Sequence, residues 1–282
     1  MSTPAVQTWE EIYDSRLSMM NRDYQVSDWS ERSEDYSESR KTDNYRYGRN
    51  VHEILEKNGI VSDGSRVIEV GSGPGTFVIP FAQSVAHVTA VEPAEGMMAR
   101  IRENAGQASV SNFDIIPAIW QEVDTSSMAG QYDLAVSSTV IWMFRDIVEQ
   151  IRRMEKVSSG YCCLCAGIDT NGHSADDLWE KVVGERSKPV FPEYPLIYSI
   201  LYENGIYPEV RIIEHVSRRS PENMMKMHSV FYNLFTSMNQ EKEGIIRKHV
   251  MDNLQDGQYI MRFKTAVLWW KPSLNREVQH GA

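Results

Sequence analysis

The chain has 282 residues, of which 41% are hydrophobic and 24% charged, with a formal net charge of −10. This composition is that of a folded globular protein. No stretch approaches the roughly eighteen consecutive apolar residues of a membrane span, and residues 1–13 lack the apolar segment of a secretory signal. Because a net negative surface is repelled by phosphate backbones, we expect neither nucleic acid nor a membrane as a partner.

The cysteines all fall in one apolar segment, as Cys162, Cys163 and Cys165. A disulfide framework would need cysteines spread along the chain, and a zinc site would need a second pair of ligands. We therefore predict buried free thiols in a strand, no metal site, and a reducing, cytoplasmic location.

Residues 1–60 are predicted to form an N-terminal helical and aromatic cap. Aliphatic side chains are scarce in residues 1–50, but tyrosine, tryptophan and charged residues are frequent there. Such a segment has too little apolar surface for a core of its own. We expect short helices laid over the rest of the molecule, followed by a helix that begins near Val51 and ends at Gly59.

Strands and helices then alternate through a predicted core over residues 61–216. The predicted strands are 65–70, 86–93, 114–120, 132–138, 161–168 and 209–216, and the predicted helices are 77–85, 94–104, 147–157 and 196–203. Several of these strands are continuously apolar, which is typical of a parallel sheet covered on both faces. The order of elements predicts a doubly wound α/β fold.

In the C-terminal third of the chain, the predicted strands and helices no longer alternate regularly. Residues 169–188 are polar and helix-like, 218–255 have a helical pattern throughout, 259–270 form a last strand, and the final ten residues are expected to fray. We predict a helical insertion over 217–258 and a closing strand of the core over 259–272. The methionine and aromatic residues of the insertion are compatible with core packing, with a cap over an acceptor, or with a homodimer interface.

The motif that carries chemistry is Glu69-Val70-Gly71-Ser72-Gly73-Pro74-Gly75, which follows a strand and opens a helix. Glycines let a backbone approach a ligand closely, and Glu92, at the end of the next strand, is placed to accept hydrogen bonds from ribose hydroxyls. A nicotinamide dinucleotide fingerprint would need glycine at position 76, where this chain has Thr76. The loop therefore favours S-adenosylmethionine over a nicotinamide cofactor.

With this loop and Glu92, the chain resembles class I S-adenosylmethionine-dependent methyltransferases, by its motifs over residues 60–168 and by its strand pattern over 205–270. The resemblance implies a Rossmann-like, seven-stranded methyltransferase sheet, S-adenosylmethionine as cofactor and S-adenosylhomocysteine as product. The cofactor-binding residues that it implies are Glu69, Gly71, Ser72, Gly73, Gly75, Glu92, Pro93, Met97, Ala118, Ile119, Trp120 and Ser137.

Two departures from common family patterns are informative. An aspartate often follows the third strand, whereas this chain has Ala118-Ile119-Trp120-Gln121, so a backbone contact or the face of Trp120 would replace side-chain recognition of the adenine amine. The Asn-Pro-Pro-Tyr type of signature is missing, which argues against methylation of a nucleic-acid base or of glutamine.

No catalytic base is evident from the sequence. In similar methyltransferases a tryptophan and a tyrosine ahead of the core lie above the sulfonium, which here suggests Tyr36, with Tyr45 and Tyr47 as further candidates. Trp142, with Met143 and Phe144, follows the fourth strand and could equally line an acceptor pocket or pack in the core. The histidines show no ligand spacing, and a base role for His173, His215 or His228 is not favoured.

The resulting hypothesis is methyl transfer, by in-line displacement, to a small and partly apolar acceptor. Such a reaction depends chiefly on alignment and needs a base only when the acceptor must lose a proton early. The alternatives are a methyltransferase acting on a protein or a large metallo-cofactor, which would need an open and shallow cap, and a non-catalytic module that binds S-adenosylmethionine.

Overall fold

A computed structural model describes residues 2–168, 176–184, 189–191 and 194–272. Its α-helices are α1 Pro4–Ser18, α2 Val26–Glu31, α3 Ser33–Lys41, α4 Arg46–Lys57, α5 Val78–Ala82, α6 Glu95–Ala108, α7 Ile147–Val157, α8 Asp176–Val183, α9 Tyr194–Glu203, α10 Pro221–Tyr232 and α11 Gln240–Asp252. Its strands are β1 Arg66–Val70, β2 His87–Val91, β3 Phe113–Ile116, β4 Tyr132–Ser138, β5 Ser158–Gly167, β6 Glu209–Arg219, β7 Leu254–Gln255 and β8 Gln258–Trp270.

The long strands form one sheet in the order β3-β2-β1-β4-β5-β8-β6, with the two-residue β7 paired to β8. Strands β1 to β5 run parallel, whereas β8 is antiparallel to both β5 and β6. Val70, the last residue of β1, pairs with Val91 in β2 and with Ser137 in β4. The carboxyl ends of the three central strands are therefore level, and the loops that follow them meet at one edge of the sheet.

The core lies on both faces of this sheet. Successive residues of β1 and β4 alternate between two apolar clusters: Ile68 and Ala135 belong to one, and Val67 and Leu134 to the other. Helices α7 and α9 pack in the first cluster, and α4, α5 and α6 in the second. The doubly wound α/β fold predicted from the continuous apolar strands is confirmed, with eight strands when β7 is included.

The N-terminal cap consists of the short helices α1 to α4, and it is tied to the core at several points. The Trp9 indole Nε1 donates to the Phe144 carbonyl at 2.8 Å, and Ser37 and Asn104 exchange hydrogen bonds between α3 and α6. Asp35, which is fully buried, pairs with Arg219 at the end of β6. The cap thus contacts both halves of the sheet.

The helical insertion packs as a separate apolar cluster. Met224 and Met227 of α10 lie with Ile246 and Val250 of α11 against Trp179 of α8. The prediction of continuous helix over 218–255 is wrong. Strand β6 continues to Arg219, and residues 233–239 separate α10 from α11, because the side chain of Asn239 caps the N-terminus of α11 by accepting from the Lys242 backbone N–H.

Two further sequence predictions need correction or lie outside the described residues. The third strand ends at Ile116, not at Trp120, because Pro117 has no N–H for the ladder and a turn follows, with Trp120 beginning a 3-10 helix. The predicted helical stretch 169–188 is described only in part, at α8, and the predicted frayed tail and His173 lie outside the described residues.

The cysteines match their prediction, since Cys162, Cys163 and Cys165 are buried free thiols in β5. Among the described residues, no helix combines the length and apolar character needed to span a membrane. Within the same ranges, no group of three or more potential metal ligands was found.

Candidate active site

A cavity of about 240 Å³ lies at the edge of the sheet where the carboxyl ends of β1, β2 and β4 are level. The loops after these strands form its floor, and the cap forms its roof through residues in and around α2, α3 and α4. The lining residues are Tyr24, Gln25, Val26, Trp29, Tyr36, Arg40, Tyr47, Glu69, Val70, Gly71, Ser72, Gly73, Pro74, Thr76, Val91, Glu92, Pro93, Met97, Ala118, Ile119, Trp120, Gln121, Ser138, Thr139, Val140, Met143 and Phe144.

The glycine loop follows β1 in a conformation that requires glycine. Gly71 has φ +72°, and a Cβ atom built there would lie 2.4 Å from Cγ2 of Val140. Gly73 has φ +53° with open space where its Cβ would be, so its backbone can be approached closely from the cavity. Gly75 is not among the lining residues, and its Cβ position faces the side chain of Ile79.

Glu92 is held with its carboxylate against the glycine loop. Its Oε2 accepts from the Gly73 backbone N–H at 2.7 Å, and its Oε1 accepts from the Ala94 N–H at 2.9 Å. Burial raises the pKa of the Glu92 carboxyl, while the hydrogen bonds from Ala94 and Gly73 act in the opposite direction. Each oxygen retains capacity for a second donor, so the fixed carboxylate can receive two hydroxyl groups.

Glu69, in β1, is the second buried carboxyl group of the site and is only 2% exposed. Burial, and next the negative charge of Glu92, raise the pKa of the Glu69 carboxyl well above its ordinary value of 4.5. Its Oε2 has no hydrogen-bond partner among the described residues. An orphaned carboxyl oxygen at a cavity wall is a place for a ligand donor, such as an ammonium group.

One end of the cavity is apolar and is formed where β3 ends. Met97 and Trp120 are nearly inaccessible to solvent, and Ala118 and Ile119 lie between the strand and the 3-10 helix. The Trp120 ring belongs to the main core, and the Arg153 guanidinium lies 5.3 Å from its centroid. Trp120 therefore both lines the cavity and packs in the core.

The loop after β4 forms the opposite wall of the cavity. The serine that lines this wall lies one position later in the chain than the predicted one. Ser137 is buried and its hydroxyl donates to the Val70 carbonyl at 3.2 Å, whereas Ser138 lines the cavity. Trp142 is not among the lining residues, although Met143 and Phe144 are. The Trp142 indole donates to the Thr139 carbonyl, and its ring lies under the guanidinium of Arg16 at 4.9 Å.

The cap contributes three tyrosines to the cavity, Tyr24, Tyr36 and Tyr47. The Tyr47 and Ser138 hydroxyl groups are hydrogen-bonded at 2.8 Å, and burial raises the pKa of Tyr47 well above its ordinary value. Burial also raises the pKa of Tyr36, but the charges of Arg40, Arg32 and Arg219 outweigh this and leave it below its ordinary value. Tyr45 is not a lining residue and packs with Ile79 instead.

The histidines considered as bases do not line the cavity within the described residues. His215 lies behind Tyr47, with ring centroids 4.3 Å apart, and burial lowers its pKa to about 3. His228 is buried in the cluster of the helical insertion. Neither His215 nor His228 therefore lies at the cavity.

Sequence reasoning missed several cap residues, chiefly Arg40 and Tyr24, whereas Trp29 is the tryptophan that was expected together with Tyr36. Tyr24 and Trp29 stack on each other at 5.6 Å, and Arg40 follows Tyr36 by one helical turn on α3. The available signal was the i, i+4 spacing of Tyr36 and Arg40, which places both side chains on the same face of a helix.

Comparison with known proteins agrees with this geometry. Residues 67–158 match a family model described as a methyltransferase domain. A protein of Haemophilus influenzae described as uncharacterised is 26% identical over 229 residues, which cover 77% of this chain and 80% of that protein.

Solved structures share the fold at low sequence identity. The YcgJ protein from Bacillus subtilis is 12% identical with a TM-score of 0.52, over 79% of this chain and 98% of that one. A candidate methyltransferase from Bacillus halodurans C-125 is 13% identical with a TM-score of 0.53, over 78% of this chain and 98% of that one.

The sheet order, the glycine loop and the family match together define an enzyme of the class I methyltransferase fold. The chain carries a methyltransferase domain at residues 67–158, which supports methyl transfer from S-adenosylmethionine. The residues of the cavity are chemically compatible with this cofactor. The fixed carboxylate of Glu92 suits hydroxyl groups, the orphaned oxygen of Glu69 suits an ammonium group, and the apolar surface of Met97 and Trp120 suits an aromatic base.

Proposed function

We propose that the protein methylates a small, partly apolar acceptor, and that cofactor and acceptor occupy the same cavity. The observation that supports this proposal is that residues of the N-terminal cap line the cavity. Residues in and around α2, α3 and α4 line the cavity together with the strand ends, so an acceptor would bind between the cap and the sheet rather than on a flat surface. A shallow site, which a protein or a large metallo-cofactor would need, does not fit this arrangement.

The assigned cofactor contacts follow the positions of the side chains. Glu92 would hold the ribose, Glu69 and the loop of Gly71, Ser72 and Gly73 would hold the methionine part, and Pro93, Met97, Ala118, Ile119 and Trp120 would enclose the adenine. Gly75 and Ser137 would act through the shape of the loop and of β4 rather than by contact. The bound sulfonium supplies the electrophilic methyl group.

The remaining residues act by alignment and by exclusion of water. Tyr36 and Tyr47 of the cap line the same cavity as the loop after β4, and aromatic faces attract a sulfonium by about 0.5–2 kcal/mol. Holding donor and acceptor in line is worth roughly 7–11 kcal/mol of a barrier. No histidine, lysine or cysteine lines the cavity among the described residues, and its carboxyl groups, Glu69 and Glu92, are assigned to the cofactor. The arrangement therefore suits an acceptor that attacks without early loss of a proton.

The test is the destination of a labelled methyl group. We would incubate the enzyme with S-adenosylmethionine labelled in its methyl group and a desalted or undesalted cell extract, then separate dialysable molecules from precipitated protein. Label that appears in the dialysable fraction, requires the undesalted extract and disappears with Glu92→Gln supports the proposal. Label in the protein precipitate overturns it, and cofactor binding without any transfer would indicate a non-catalytic module.

We also propose a cytoplasmic location, on the basis of three buried free thiols. Fractionation of cells that express a tagged full chain tests this. The homodimer through the helical insertion stays a prediction. The methionines that suggested it, Met224 and Met227, pack inside the chain, so sedimentation equilibrium of the whole protein is the direct test.

A further inference from the structure

The loop after β4 begins in a backbone conformation that threonine rarely adopts. Thr139 has φ +56°, in the left-handed region, where a side chain branched at Cβ crowds the backbone. Thr139 lines the cavity and directly follows Ser138, whose hydroxyl group is hydrogen-bonded to that of Tyr47. Because an unfavourable backbone conformation persists only where its surroundings impose it, the contacts of Thr139 show what holds it in place.

Three hydrogen bonds fix Thr139 in this conformation. Its backbone N–H donates to the Cys165 carbonyl at 3.0 Å, and its hydroxyl group donates to the Ser138 carbonyl at 2.7 Å. Its own carbonyl group accepts from the indole Nε1 of Trp142 at 2.7 Å. The first bond comes from the backbone of β5 and the second from Thr139 itself, so Trp142 supplies the contact from another side chain.

Trp142 is in turn held by the N-terminal cap. The Arg16 guanidinium lies 4.9 Å from the centroid of the Trp142 ring, and its Nη2 donates to the Trp142 carbonyl at 2.8 Å. The rings of Tyr24 and Phe191 make T-shaped contacts with the indole, with centroids 5.8 and 5.3 Å away. Arg16 is buried and belongs to α1, so the first helix of the chain fixes the indole that holds Thr139.

The turn at Thr139 brings the loop after β4 against the glycine loop. The next residue, Val140, fills the space beside Gly71, where an added Cβ atom would lie 2.4 Å from Cγ2 of Val140. Val140 and Gly71 both line the cavity. If Thr139 adopted a negative φ, the chain would leave β4 in another direction and Val140 would move away from Gly71.

We propose that Trp142 is a positioning residue that keeps Thr139 in the left-handed region. Through Thr139 it keeps Val140 against the glycine loop, so that this wall of the cavity is formed before the cofactor binds. A protein whose binding-competent arrangement is only partly populated has an apparent affinity reduced by that fraction. Loss of the Trp142 contact should therefore weaken cofactor binding, although Trp142 does not line the cavity. The inference rests on the proposed binding of S-adenosylmethionine in this cavity.

The experiment measures, by calorimetry, the dissociation constant of S-adenosylhomocysteine for a set of variants. Trp142→Phe keeps an aromatic ring but removes the indole donor, and we expect it to weaken binding by roughly three- to tenfold, which corresponds to one hydrogen bond. Adding Thr139→Gly to Trp142→Phe should bring the affinity to within about twofold of that of Thr139→Gly alone, because glycine adopts a positive φ without support. Adding Thr139→Ala, which removes the same hydroxyl group but keeps Cβ, should give no such recovery.

Ser109→Gly is the matched control for the relief of strain. Ser109 has φ +55° and lies at the exposed end of α6, outside the cavity, so glycine relieves the same conformation at a distant position. Combined with Trp142→Phe, it should leave the weakened affinity as it is. Thermal melts show whether each variant is folded.

A second measurement tests the strain without any ligand. In ordinary backbone a protein is more stable with alanine than with glycine, whereas at a positive φ this order is reversed. Urea denaturation should therefore give a higher midpoint for Thr139→Gly than for Thr139→Ala.

The opposite order of midpoints overturns the inference, and so does a Trp142→Phe variant that binds S-adenosylhomocysteine as wild type does. Recovery with Thr139→Ala that equals recovery with Thr139→Gly also overturns it, since the backbone conformation would then not matter. Failure of wild type to bind S-adenosylhomocysteine would overturn the assigned cofactor site together with the inference, and this outcome is distinguished by occurring without any substitution.

Discussion

At the scale of single residues, the site depends on carboxyl groups whose surroundings fix both position and charge. Glu92 is oriented by two backbone N–H groups, whereas Glu69 has an oxygen without a partner among the described residues. The two acids differ in what they can do for a ligand. Glu92 is a preformed acceptor, and Glu69 gains a partner only when a donor enters the cavity.

Glu92→Gln is expected to weaken the binding of S-adenosylhomocysteine by roughly ten- to a hundredfold, because the amide NH₂ cannot accept from both backbone donors and a hydroxyl. Isothermal titration calorimetry measures this change. Glu95→Gln, at the exposed start of α6, removes the same charge and should bind as wild type does. Unchanged affinity in Glu92→Gln would contradict the ribose assignment.

Gly71→Ala is expected to destabilise the protein more than Gly59→Ala. Both glycines have positive φ, +72° and +68°, so alanine costs each about 1–2 kcal/mol. At Gly59 the new methyl group enters open space, whereas at Gly71 it meets Val140 and adds about 1–3 kcal/mol of overpacking. Urea denaturation gives both values, and equal losses would show that the loop after β4 moves aside freely.

The raised pKa of Glu69 predicts a stability that depends on pH. A carboxyl whose pKa is higher in the folded state stabilises the fold below its unfolded pKa and loses that contribution as pH rises toward its folded pKa. The free energy of unfolding of wild type should therefore fall as the pH rises above the ordinary carboxyl pKa of 4.5, more steeply than that of Glu69→Gln. Urea midpoints across this range test the sign, and parallel curves would refute it.

At the scale of elements, the placement of the roof depends on contacts between segments far apart in sequence. Helix α3 is joined to β6 by Asp35 and Arg219, and to α6 by Ser37 and Asn104. Helix α2 approaches α6 so closely that a Cβ at Gly96 would lie 2.7 Å from the Ser30 carbonyl oxygen. These contacts hold Tyr36 and Arg40 over the strand ends.

Asp35→Asn is expected to cost about 3–5 kcal/mol of stability, because it leaves Arg219 charged and buried without its partner. Burial already lowers the pKa of Arg219 to about 10. Asp14→Asn is the control, since Asp14 pairs with Arg145 at the surface and such pairs are worth about 1 kcal/mol or less. Chemical denaturation should separate the two variants, and similar losses would mean that the buried pair does not anchor the cap.

At the scale of the whole molecule, the sequence predicted what is encoded locally. The alternation of apolar runs predicted the parallel sheet, and a single loop with Glu92 nineteen residues later predicted the cofactor. The partners of the cap were not predictable, because the residues that contact Arg40 and Asp35 depend on how α3 crosses the sheet. The end of β3 at Ile116 was missed although Pro117 marks it, since the apolar residues beyond it continue a strand-like pattern.

The join between Asp35 and Arg219 spans 184 positions of the chain, and this separation bears on how the protein is made. The cap leaves the ribosome before β6, and its buried anchor exists only after β6 has been synthesised. Contacts of such long range form slowly, because a large loop must close before they contribute. We therefore expect the cavity to be among the last parts of the nascent protein to fold. Until then, the aromatic side chains of the cap would be exposed to chaperones.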